Sequence, residues 1–153
     1  MCIRDRPQDP EPRPDAAEPV MPRVHGLARV SIGVRDLDRA LVFYHDLLGF
    51  PVLGYVDDPA GQGRRVAHLD AGRAVLELIT MPDASDPPER AAGLRQLSLR
   101  VAALDALVES LAAAGARVVL EPVTAGDIRR AVIADPDGTC IELFAGETAY
   151  AHR

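Results

Sequence analysis

Two glutamates are the first candidates for chemistry: Glu77 in Val75-Leu76-Glu77-Leu78 and Glu142 in Cys140-Ile141-Glu142-Leu143. Each is a single acid between apolar neighbours, and strand alternation turns it to the face opposite those neighbours. A carboxylate so placed can move a proton as general acid or base, or give oxygen to a hard cation. Cys140, two residues before Glu142, shares its face, but no base or charge is at hand to activate the thiol. Other routes are closed by composition. All 17 basic residues are arginine, which excludes lysine Schiff-base chemistry and a P-loop lysine. Cys2 and Cys140 form no Cys-x-x-Cys pair and no disulfide framework. With a net charge of -6, no basic footprint exists for nucleic acid or an acidic membrane surface. No run reaches the roughly 18 apolar residues of a membrane span, and no signal-like stretch opens the chain, so the expected compartment is the cytoplasm.

The elements that position these acids come from an internal duplication. Gly26-Leu27-Ala28-Arg29-Val30-Ser31-Ile32-Gly33-Val34 recurs as Gly93-Leu94-Arg95-Gln96-Leu97-Ser98-Leu99-Arg100-Val101, an offset of 67. Both copies alternate as strands do. A helical stripe follows each: Leu37, Ala40, Leu41, Tyr44, Leu47 and Leu48, then Leu104, Leu107, Val108 and Leu111. Gly49 and Gly115 supply left-handed C-terminal caps. Three further strands are expected per copy, near 51–56, 65–70 and 74–80, and near 117–121, 129–134 and 139–144. The reading is an α+β chain of two βαβββ modules, 24–81 and 92–146, joined through Pro82–Pro88 into one domain, 24–146. Neither module is large enough for its own core, so they must share one. Residues 1–22 are proline-rich and aperiodic and read as a disordered tail, with 147–153 as a second tail. The opening Met-Cys-Ile-Arg-Asp-Arg reads like a translated sequencing adapter, which would place the native start at Met21.

Taken together, several segments resemble the vicinal oxygen chelate superfamily, which includes glyoxalase I, methylmalonyl-CoA epimerase, extradiol dioxygenases and bleomycin-binding proteins. They are Val34-Arg35-Asp36-Leu37, Ala40-Leu41-Val42-Phe43-Tyr44, Leu48-Gly49-Phe50, Leu76-Glu77-Leu78, and Asp135-Pro136-Asp137-Gly138 running into Glu142-Leu143. The resemblance implies curved mixed sheets that together form a cup, completed within one chain or across a homodimer. In metal-dependent relatives the cup holds a divalent ion on His and Glu ligands from the first and last strand of each module. The last-strand acids match Glu77 and Glu142. At the first-strand positions stand Arg29 and Gln96 instead of histidine. A guanidinium has no lone pair to give, whereas an amide oxygen can ligate.

Two site arrangements follow. Arg29 pairs with Glu77 or Glu142 in a metal-free site, or Glu77, Gln96 and Glu142 hold an ion such as Mg, Mn, Ni or Zn. His25 lies about 13 Å along the strand from Arg29 and cannot replace the missing ligand. His45 falls outside the helical stripe and reads as a surface residue. His68, in Val66-Ala67-His68-Leu69, either lines the pocket as an acid–base group or fills space. Arg64 and Arg65 could hold an anionic substrate group, with Phe50, Tyr55, Cys140 and Phe144 as walls. By resemblance the function is a lyase or isomerase of glyoxalase or epimerase type. Glu142, with Glu77, Asp57 or Asp58, would shuttle a proton beside a carbonyl, and Arg29 would steady the oxyanion. The alternative is a metal-free protein that binds a small molecule or antibiotic. Extradiol cleavage lacks its 2-His-1-carboxylate set.

Overall fold

The computed structural model describes residues 24–57, 62–84, 93–94 and 96–146. The two tails and most of the Pro82–Pro88 link lie outside these. Module one runs β1 (Arg29–Val34), α1 (Leu37–Leu41), β2 (Val52–Asp57), β3 (Arg65–Asp70) and β4 (Val75–Thr80). Module two runs β5 (Leu97–Arg100), α2 (Leu104–Ala113), β6 (Arg117–Ala125), β7 (Ile128–Ala134) and β8 (Cys140–Ala145). Each forms a four-stranded mixed sheet, β1-β4-β3-β2 and β5-β8-β7-β6, with the first strand parallel to the last. The α+β architecture expected from the duplication is therefore the one observed. Among the described residues no helix is long and apolar enough to cross a membrane.

Asp36 caps α1, its Oδ1 accepting from the backbone N–H of Asp38 at 2.9 Å and Arg39 at 3.1 Å. The sequence predicts one continuous α-helix to Leu48; instead α1 gives way to a π-helical turn over Val42–Leu47. The wider turn buries both Phe43 and Tyr44, which meet edge to face with centroids 5.0 Å apart. Gly49 and Gly115 adopt φ of 84° and 91°, the conformation the two caps require.

Alternation sorts each sheet into two faces. Ile32, Val34, Ala67, Leu69, Leu76 and Leu78 of module one are buried, as are Ala131, Ile133, Ile141 and Leu143 of module two. These side chains join the apolar stripes of both helical segments in one core. Direct bonds tie the halves as well. The Tyr44 hydroxyl donates to Asp135 Oδ2 at 2.7 Å, and Arg35 donates to Asp137 from its backbone and its guanidinium. Asp135 Oδ1 accepts the backbone N–H groups of Asp137 and Thr139, which makes the β7–β8 turn a rigid abutment for module one.

Candidate functional site

The faces left uncovered by the helices carry the polar residues. In module one the register sets Ser31 and His68 beside Glu77 on neighbouring strands, with Arg29 two residues before Ser31. Arg29 Nη1 meets Glu77 Oε2 at 2.5 Å, His68 Nε2 meets the same oxygen at 2.7 Å, and Ser31 Oγ donates to Oε1 at 2.8 Å. Glu77 is nearly buried, its side chain 11% exposed, while Arg29 reaches outward at 52%. Burial alone would raise the Glu77 pKa. Hydrogen bonds from His68, Ser31 and Arg29, with the Arg29 charge, outweigh that and bring it from 4.5 to about 2. The carboxylate is ionised at neutral pH and can only accept, so the bond between the two is donated by His68 Nε2.

Module two builds a related but different set. Glu142 Oε2 accepts from Gln96 Nε2 at 2.6 Å and from Ser98 Oγ at 2.9 Å. Arg130 Nε lies 3.1 Å from Glu142 Oε1 as an ion pair, yet it is buried and not aligned for a hydrogen bond. Cys140 and Phe144 share this face, as the register Ala134 to Cys140, Val132 to Glu142 and Arg130 to Phe144 requires. Arg100 lies over the Phe144 ring, 5.7 Å from its centroid.

These contacts sort the sequence candidates. Arg29, Glu77 and His68 converge on one face, and Gln96, Glu142, Cys140 and Phe144 on the other. The donors to Glu77 all come from its own module, as do those to Glu142. Among the described residues no three His, Cys, Asp or Glu side chains gather to hold an ion, so His68, Glu77 and Glu142 make no common ligand set. Nor does the donor chemistry suit a divalent cation. Both oxygens of Glu77 and of Glu142 already face donors or cations, and each acid is neutralised by a guanidinium.

Three wall or anchor candidates point elsewhere. A bulge between Val52 and Gly54 shifts the β2 register, so Tyr55 pairs with Ala67 on the helix side and not with His68's face. Arg65 also lies on that side, reaching Asp38 of α1 at 3.4 Å. Phe50 packs against the core. Arg64 is exposed just ahead of β3, Asp57 closes β2, and Asp58 falls outside the described residues. His45 is half-exposed, and its Nδ1 meets the Phe50 carbonyl at 2.7 Å.

Ser31, Ser98 and Arg130 were not singled out from sequence. The serines do carry a signal: Ser31 and Ser98 follow Arg29 and Gln96 by two residues, the spacing that shares a strand face. Arg130 required counting back through the β7–β8 hairpin.

The profile of the Glyoxalase/Bleomycin resistance protein/Dioxygenase superfamily matches residues 26–143, and the chain belongs to that superfamily. It is similar to a probable lactoylglutathione lyase of Synechocystis sp., with 33% identity over 77% of this chain and 93% of the relative. Glyoxalase I of Leishmania major, described as trypanothione-dependent, superposes with a TM-score of 0.67 at 26% identity, covering 80% of this chain and 87% of that one. TnmS3, an antibiotic-binding protein from Streptomyces sp. CB03234, gives 0.66 at 27%, covering 83% and 100%.

Proposed function

We propose that this protein transfers a proton at a carbon next to a carbonyl, as an isomerase or lyase of glyoxalase or epimerase type that works without a metal ion. The observation that carries this reading is the His68–Glu77 bond beside the Arg29 guanidinium. With Nε2 bonded to Glu77, which fixes the orientation of the ring, Nδ1 is the ring nitrogen left to act as the base. The carbon–hydrogen bond breaks and its proton passes to Nδ1. The electron pair moves onto the carbonyl oxygen, where Arg29, half in solvent, supplies the positive charge that relatives take from an ion. Return of the proton to the same carbon, or to its neighbour, gives the isomer, and His68 is restored.

The test is solvent exchange. The protein is incubated in D2O with a panel of acyl-CoA esters, hemithioacetals of glutathione and simple 2-oxo acids, and deuterium uptake is read by mass spectrometry. Uptake catalysed by wild type and lost in His68→Gln is expected. No uptake from any compound, or undiminished uptake in the variant, overturns the reading.

One observation favours a second reading, a metal-free binding protein. Both Glu142 oxygens already face donors or a cation, which suits a fixed wall better than a proton carrier. A rise in Tm with a flat antibiotic, without exchange from any carbonyl compound, selects it.

A further inference from the structure

The modules leave a cavity of about 620 Å³ at their seam, where the first helical segment meets the α2–β6 connection and the β7–β8 turn. None of the donors to Glu77 or Glu142 lines it. Its size falls within the roughly 300–1,000 Å³ of small-molecule sites. Val42, Phe43 and Leu47 form an apolar wall from module one, faced by Ala114, Ala116 and Pro136 from module two.

Arg39 and Arg117 also line it, one from each module, and among the described residues neither guanidinium has a carboxylate partner. Arg29, Arg35, Arg65, Arg129 and Arg130 are each paired; Arg64, Arg73 and Arg100 have no carboxylate partner among the described residues either, but they do not line this cavity. The acid in the lining, Asp135, is fully engaged by Tyr44 and by two backbone N–H groups. An apolar wall and two guanidiniums set against the single carboxylate of Asp135 leave the lining net positive, which complements a ligand that is anionic at one end and apolar along the rest.

We propose that the seam cavity binds a small amphipathic carboxylate, its head held by Arg39 and Arg117 and its chain lying on Val42, Phe43 and Leu47. Because both modules contribute, such a ligand strengthens their union, and it does so independently of the polar faces around Glu77 and Glu142.

Sodium octanoate, with 1-octanol as its uncharged counterpart, is titrated into the 15N-labelled full chain and followed by NMR. Saturable shifts are expected at the amides of Val42–Phe43 and Ala114–Arg117, with octanol binding more weakly. Arg39→Glu combined with Arg117→Glu lowers octanoate affinity at least tenfold and leaves octanol binding unchanged. Both side chains are exposed, so the fold is retained; should charge reversal unfold the chain, Arg39→Gln/Arg117→Gln against Arg39→Lys/Arg117→Lys gives the same comparison, only the lysine pair keeping affinity. No saturation, shifts confined to β1, β3, β4 or β8, or equal affinity in the charge-reversed protein overturns the proposal. His68→Gln leaves this titration unchanged, so its outcome is separate from that of the exchange assay.

Discussion

Module one gathers Arg29, Ser31 and His68 on Glu77; module two gathers Gln96, Ser98 and Arg130 on Glu142. The serines and the acids are equivalent. The guanidinium has moved, from the first strand of one module to the third strand of the other. Val132 holds the register position opposite Glu142 that His68 holds opposite Glu77. Outside the site the repetition is closer: Asp38 pairs with Arg65 and Asp105 with Arg129, each linking helix to sheet. Glu77 and Glu142 thus each keep a cation, because an uncompensated carboxylate there is expensive, but only the module-one set includes an imidazole.

The largest expected effect lies in that difference. His68→Gln should lower turnover in the exchange assay by about 100-fold or more, while Arg130→Gln lowers it by less than about tenfold; the reverse order would move the chemistry to module two. Next, Arg29→His puts a second imidazole beside His68 and Glu77, removing the competing cation. This variant should retain close to one equivalent of Mn or Ni by elemental analysis after incubation and desalting, where wild type retains none. Equal metal content in both would break the argument that the guanidinium fills the ion's place.

Tyr44→Phe removes a buried donor from Asp135 and should destabilise the chain by about 1–3 kcal/mol in urea unfolding. The pH dependence is of similar or smaller size. Glu77 is held at about 2 in the folded chain against 4.5 when free, so its contribution is complete above about pH 4.5 and fades as pH falls towards 2. Given the half-exposed Arg29, about 1–2 kcal/mol is involved, and Glu77→Gln should flatten the acid limb of a stability–pH curve. Smallest of all, Asp38→Asn and Asp105→Asn should leave Tm nearly unchanged. Asp105 has the larger effect of the two because its pair with Arg129 is bidentate at 2.6 Å.

Much of this was legible in the residues because the duplication is carried by local periodicity. A strand and a helical stripe recurring at one offset fix the two modules, and alternation alone turns Glu77 and Glu142 away from the core. What escaped depends on irregular backbone. Without the bulge after Val52, Tyr55 would lie on the face of His68; one inserted residue sends it to the other side. The π-turn leaves the apolar spacing of Leu37 to Leu48 intact, so spacing gives no sign of it. Arg130 reaches Glu142 through a neighbouring strand, and cross-strand register is not encoded in single-strand alternation.

Tyr44 offers a reporter that comes free with the fold. Burial and its bond to Asp135 hold its phenol far above the ordinary value, while Tyr55 is open to solvent. No tryptophan masks the signal. The Tyr44 phenolate should absorb only once the two halves part, so ultraviolet titration would time their separation without any added label.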